Sequence, residues 1–322
     1  MPFTDHMQRN RYELKYLIDE RCARRVRDFV RVQLRRDRFA QPAMAGAYPV
    51  YSIYLDSADL SLFNATLHGH KNRFKLRARY YDHQADSPVF FEIKRRVNDI
   101  IFKERAAVRR EAVKRLLAGA PASREDLIDP DDHDAFSSLH HFCHLRHLVQ
   151  AGGRTIVAYT REAWNAADND DLRVTFDRAV RGAWFDDRQP IDHALAVDGG
   201  HWVHPPLDGE VVLELKFTGT YPRWMQELVA SCDLYRVCMA KYVNCVMAMG
   251  PRSIGRWRER QPMRMRFGAG SGSPGHSSLS RYSGGGLGRG FGNDAQLLKP
   301  PPQPSPGVPG EGVRPTAGGR PA

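Results

Sequence analysis

Lysines and arginines recur at every second position through several short, otherwise apolar stretches of this 322-residue chain. In FKLRARYYD, residues 74–82, an extended backbone puts Lys75, Arg77 and Arg79 on one face and Leu76, Ala78 and Tyr80 on the other. RYELKYL, residues 11–17, does the same with Arg11, Glu13 and Lys15 against Tyr12, Leu14 and Tyr16. VFFEIKRR (89–96) offers Glu92, Lys94 and Arg96, and IIFKERAAV (100–108) offers Lys103 and Arg105. TIVAYTREAW (155–164) ends on Tyr159 and Arg161, LRVTFDRAV (172–180) presents Arg173, Thr175 and Asp177, and VVLELKF (211–217) presents Glu214 and Lys216.

A half-exposed sheet also shows polar residues on its wet face, and for one strand that explanation is enough. Here the polar positions are dominated by long cations, which repel one another on a shared face unless a polyanion sits among them. A barrel with a basic lumen satisfies both demands, because closure removes edge strands and inward positions alternate with outward ones. The acids on the same faces admit two readings. Glu13, Glu92, Asp177 and Glu214 could pair with neighbouring arginines, or the carboxylates could supply hard oxygen ligands to Mg2+ or Mn2+, which are held by one or two carboxylates plus substrate phosphates. The tripeptide ELK at 13–15 and again at 214–216 places a carboxylate two residues from a lysine on one strand face. That suits a metal-bridged phosphate whose other oxygens meet an ammonium.

The elements that must position these residues follow from the same periodicities. With VYSIYLDS at 50–57, there are about eight strands. Asp19 can cap a helix through CARRVRDFVRVQL, and helical patterns are expected over 59–67, 111–117, 134–150, 221–232 and 238–249. Residues 130–134 and 193–209 are expected surface loops. The fold class is therefore α+β, an antiparallel β-barrel with flanking helices.

Composition sets the outer limits. From 267 to 322 the chain holds 15 of the 27 glycines and 9 of the 21 prolines, so the expectation is a folded domain over 1–266 and a disordered tail over 267–322. That tail carries +3 of the formal +11, leaving about +8 on the body, which points to a polyanionic partner. The arginine-rich stretch 252–266 adds to the bias or is a solvated exit from the last helix. No run of about 18 apolar residues could cross a bilayer, and no charged-then-apolar leader opens the chain. Five cysteines without CxxC spacing fit a reducing cytoplasm. The cluster His140, His141, Cys143, His144 and His147 lacks the glutamate of an HExxH site, and a histidine-rich helix lying on the barrel is preferred to a zinc centre. Ser52 and Ser57 are read as ordinary strand residues. There is no GxxxxGK[ST] loop and no kinase HRD or DFG set.

RYELKY, VYSIYLDS, NRFKLRARYYD, FFEIKRR, VAYTREAW, LRVTFDR, LELKF and AKYVN occur in the order seen in the vacuolar transporter chaperone domain. The stretch from 9 to 249 resembles that domain, the polyphosphate polymerase member of the triphosphate tunnel metalloenzymes. The resemblance implies an eight-stranded tunnel that binds ATP and inorganic polyphosphate with a divalent metal, Mn2+ or Mg2+. It implies catalytic roles for Lys15, Arg77, Arg79, Lys94 and Arg161, and substrate contacts from Arg173, Lys216 and Lys241, the last on a closing helix. The strand faces add Lys75, Lys103 and Arg105 to the substrate contacts. Glu214 matches the family's metal-binding glutamate, with Glu13 and Glu92 as further acids. Glu13 departs from the eukaryotic polymerases, which often lack an acid there, whereas the tunnel phosphatases have one. The expected function is polyphosphate synthesis from ATP, the alternatives being a triphosphatase or a non-catalytic polyphosphate-binding module. A nucleic-acid partner is disfavoured, because few stacking aromatics are interleaved with the cations.

Overall fold

The computed structural model describes residues 11–40, 44–98, 100–167, 171–185, 202–207 and 211–250. Each charged period-two stretch forms a strand. In chain order the elements are β1 (Arg11–Ile18), α1 (Glu20–Gln33), β2 (Arg35–Arg36), β3 (Ala47–Asp56), α2 (Ser61–Leu67), β4 (Asn72–Tyr80), β5 (Val89–Val97) and β6 (Ile100–Val108). There follow α3 (Arg110–Ala118), a 3-10 turn (Arg124–Asp126), α4 (His133–Leu148), β7 (Gly152–Asn165), β8 (Leu172–Trp184), β9 (Val211–Thr218), α5 (Arg223–Ser231) and α6 (Lys241–Met249).

The main path of the sheet runs β1-β9-β8-β7-β3-β4-β5-β6, with β2 paired to β7 off that path. All the pairings are antiparallel. The eight expected strands are present, and β2 is too short to have left a periodic signal. Strands β1 and β6 are the two ends of the path, and among the described ladders they do not pair. Yet Lys94 Nζ on β5 lies 2.6 Å from Glu13 Oε2 on β1. Such a contact requires the sheet to curl until its ends meet, so side chains bridge the seam that the backbone ladder leaves open.

Three apolar clusters follow from the alternation. Outward residues of β3 to β6, including Leu55, Leu76, Phe91 and Ile93, pack on Leu116 of α3 and Leu139 and Phe142 of α4. Outward residues of β1, β8 and β9, including Tyr16, Phe176, Leu213 and Leu215, pack on Val26 and Val30 of α1 and Met225 and Leu228 of α5. Helix α1 forms as expected: Asp19 accepts from Cys22 N at 2.6 Å, and Ala23, Val26 and Val30 recur at helical spacing. The third cluster joins Val50, Val157 and Val212 to Tyr242, Val243 and Val246 of α6. Val212 and its neighbour Leu213 must face opposite sides of β9, and Leu213 faces out, so α6 lies against the concave side. Gly182 of β8 permits this, because a Cβ there would lie 2.5 Å from Cys245 Cβ.

Of the expected loop at 193–209, residues 202–207 are described, and Val203 bridges to Gly182. The arginine-rich stretch 252–266 and the expected disordered tail, 267–322, lie outside the described residues. Among the described residues, no helix is long and apolar enough to cross a membrane.

Candidate functional site

The inward positions of the strands and the first residues of α6 converge on one cavity of about 270 Å³. All eleven cations expected to act in catalysis or substrate binding reach its wall: Lys15 from β1; Lys75, Arg77 and Arg79 from β4; Lys94 from β5; Lys103 and Arg105 from β6; Arg161, Arg173 and Lys216 from β7 to β9; and Lys241 from α6. Glu13 and Glu214 share that wall. Glu92 does not: at 1% exposure it lies behind the wall, where Arg77 (2.6 Å), Lys103 (2.9 Å) and Arg105 (3.4 Å) surround it.

The charge is organised around Glu214. Its Oε1 accepts from Lys241 at 2.7 Å and its Oε2 from Lys216 at 2.5 Å, with Arg161 at 3.5 Å and Lys15 at 3.8 Å. Burial alone would raise the Glu214 pKa, but Lys216, Lys241, Lys15 and Arg161 outweigh it and hold the carboxyl well below the usual range. Behind it, Asp177 accepts two bonds from Arg161, each of 2.7 Å, and stands 2.6 Å from Lys241 Nζ. On β1, Glu13 pairs with Lys15 at 3.2 Å and with Lys94. Register explains the checkerboard, since Glu13 lies opposite Lys216 and Lys15 opposite Glu214 across β1 and β9. At the far side Arg173 donates to Asp37 Oδ2 at 2.9 Å and to Tyr48 OH at 3.0 Å.

Two of the wall cations have no carboxylate partner among the described residues. Arg79, 6% exposed, donates only to Ser52 Oγ at 3.0 Å and Tyr159 OH at 3.1 Å. Lys75 has no hydrogen bond or ion pair, and it sits directly opposite Lys94, which in turn sits opposite Lys103. Burial, with Lys94, Lys15 and Arg73 nearby, brings the Lys75 pKa down to about 7. Burial and neighbouring arginines bring Lys103 and Lys216 to about 8. An excess of buried, mutually repelling cations costs free energy unless an anion joins them.

That starvation has a pH signature. Bound polyanion favours the charged lysines, so triphosphate binding at pH 8 should take up protons, and affinity should fall as pH rises from 6.5 to 9, through the Lys75 pKa near 7 and those of Lys103 and Lys216 near 8. Calorimetry of tripolyphosphate binding in buffers of different ionisation enthalpy measures the uptake, and Lys75→Met should reduce it. A pH-independent affinity over that range would show that these lysines do not meet the ligand.

Among the described residues no group of three or more His, Cys, Asp or Glu side chains could cage a metal ion. Glu13 and Glu214, on adjacent strands facing one cavity, offer hard oxygens in the number that Mg2+ or Mn2+ takes when phosphates complete its shell. His141 Nδ1 of the histidine-rich helix α4 is 2.7 Å from Glu104 Oε2.

Residues 10–250 match the VTC domain. This chain belongs to the VTC domain family. Among solved structures the VTC chain is similar to the PH1819 protein from Pyrococcus horikoshii OT3, at 12% identity and a TM-score of 0.36 over 74% of this chain and 98% of that one. It is also similar to a candidate adenylate cyclase from Vibrio parahaemolyticus, at 12% identity and a TM-score of 0.37 over 74% of this chain and 99% of that one. No curated protein matches the chain.

In this VTC domain the structure adds Tyr54 and Asp37 to the residues that the sequence singled out. Tyr54 and Tyr159 line the cavity, and Asp177 and Asp37 orient its arginines. Asp177 shares a strand face with Arg173 and Thr175, a signal open to sequence reading. Asp37 follows no period, and its role exists only because residues 35–37 fold back onto β7, with Asp37 N donating to Ala163 O.

Proposed function

We propose that this domain performs metal-dependent phosphoryl transfer in its basic tunnel, extending inorganic polyphosphate from ATP. The observation that carries the reading is the wall itself: eleven cations to two carboxylates in one cavity, with Arg79 and Lys75 uncompensated. Phosphoryl transfer asks the protein for charge neutralisation and alignment, with little covalent chemistry. The terminal oxygen of the acceptor chain attacks the γ-phosphorus of ATP, the bond from that phosphorus to the β-γ bridging oxygen breaks, and ADP departs with the electron pair.

Glu214 and Glu13 would hold a Mn2+ or Mg2+ ion jointly with the phosphates, and the ion would supply charge neutralisation at their oxygens. Glu92 does not fit that set, because Arg77, Lys103 and Arg105 enclose it behind the wall; it positions those cations instead. Arg77 and Arg79 bind the triphosphate. Lys15, 3.2 Å from Glu13 and 3.8 Å from Glu214, sits where charge develops at the transferred group. One observation favours a second reading: Glu13 puts another acid beside Glu214, as suits hydrolysis of triphosphate by water.

Labelled ATP with metal separates the readings. A ladder of acid-labile phosphate is expected, free phosphate alone would establish a triphosphatase, and metal-independent binding without turnover would establish a binding module. Arg79→Ala orphans no carboxylate and removes charge-assisted hydrogen bonds worth about 1.5–3 kcal/mol, so ATP affinity should fall roughly 10- to 100-fold. Parent-like affinity in that variant would place the triphosphate elsewhere.

A further inference from the structure

Among the described residues outside the tunnel, α1 and the segment that follows it carry a dense run of exposed charge. Arg21, Arg24, Arg25, Arg31, Arg35, Arg36 and Arg38 are all exposed, against Asp19 and Asp28 as the exposed acids of residues 19–39. Arg21, Arg24 and Arg35 have no hydrogen bond or ion pair among the described residues, and Arg31 has only an exposed contact to Asp28 at 3.4 Å. On the helix Arg21, Arg24 and Arg31 share one stripe, interrupted by Asp28 and opposite the buried Ala23, Val26 and Val30, and beyond the helix Arg35 continues the charge in β2.

This stripe begins at the tunnel. Arg35 and Arg36 form β2, paired to Asn165 and Trp164 at the end of β7. The next residue, Asp37, holds Arg173, whose side chain lines the cavity. From there α1, 14 residues and about 20 Å long, carries the arginines back along the outside of the sheet to Arg21. We infer that this arginine face is an external track for linear polyphosphate, holding the part of the chain that lies outside the tunnel. The inference rests on the polyphosphate reading of the tunnel.

Three features favour that occupant. Guanidinium forks match phosphate oxygens, and a row of them matches a polymer of regularly spaced anions. A single-stranded nucleic acid would seek stacking platforms, but the exposed ring here, Phe39 at 63%, already carries Arg38 at 4.7 Å. A membrane-lying helix needs a free apolar face, and that of α1 is spent on the core.

The test compares a long linear polyphosphate with tripolyphosphate on the full chain and on the combined variant Arg21→Glu, Arg24→Glu, Arg31→Glu and Arg35→Glu. None of these residues touches the cavity, so tripolyphosphate affinity and the unfolding midpoint should match the parent. Long-chain affinity should drop at least ~10-fold, and the log–log salt slope should flatten by roughly 3, about 0.7 per cation removed. The corresponding four Arg→Gln changes should give a smaller loss in the same direction. Unchanged long-chain affinity in both variants overturns the track while leaving the tunnel reading intact. Tripolyphosphate binding that Arg79→Ala does not weaken overturns the tunnel reading itself. Tighter retention of single-stranded RNA than of polyphosphate by the parent, lost in the variant, overturns the track in favour of a nucleic-acid surface.

Discussion

Glu214→Gln should lower turnover by at least ~100-fold while ATP binding stays equal to the parent or tightens. The two effects separate because, under the proposed function, this carboxylate does two things at once. Its oxygens face the cavity beside Glu13, in the position to share a metal with the phosphates, and its charge offsets Lys15, Arg161, Lys216 and Lys241. Glutamine keeps the shape and one carbonyl oxygen but removes the anionic ligand, so the metal contribution to transfer is lost. It also releases four cations from their shared counter-ion, and a triphosphate replaces that charge with more than it lost. Rate should be measured across a metal titration, and affinity by displacement of labelled ATP without turnover. If raising the metal concentration restores the parent rate, the site has weakened but the assignment holds. Parent-like turnover at the parent's metal requirement would mean that Glu214 only balances lysines and that the metal lies elsewhere.

The wall of this site was legible because a barrel makes function and fold share one signal. A strand that must face both a core and a polyanion alternates cations with apolar residues, and the period of two reports both at once. Thus Lys75, Arg77 and Arg79 could be read from FKLRARYYD before any contact was known. The same logic fails for Glu92. It alternates correctly on β5, yet three long cations fold over it and bury it, and strand periodicity carries no information about which side chain lies on top. Residues 35–37 were opaque for a different reason: the two-residue β2 pairing and the Asp37–Arg173 bond join positions 128 to 136 residues apart. Helix α6 was expected as a helix, but its seat against the concave face depends on Gly182, whose missing side chain has no periodic signature.

Asp177→Ala should cost about 3–5 kcal/mol of folding stability, the range for removing one partner from a buried ion pair. Asp177 is fully buried; two of its bonds come from Arg161, and Lys241 is at 2.6 Å. Without it both cations depend on Glu214 alone, and Lys241 is the first residue of α6, so the loss loosens the helix that fills the concave side. The sign of the pH dependence follows from direction alone. Burial would raise the Asp177 pKa, but Arg161 and Lys241 depress it below the ordinary carboxylate value. A group depressed in the folded state stabilises above its unfolded pKa and loses that contribution as pH falls through the folded one. The gap between parent and variant should therefore be widest near neutrality and narrow below about pH 4, where an unfolded Asp begins to protonate. Tripolyphosphate should narrow it too, by giving Arg161 and Lys241 another anion, whereas a gap caused by lost packing would ignore the added anion. Chemical denaturation at pH 7 and pH 3, with and without tripolyphosphate, reads all four values. A variant within about 1 kcal/mol of the parent at pH 7 would reduce Asp177 to the level of an exposed pair and remove it as the anchor of α6.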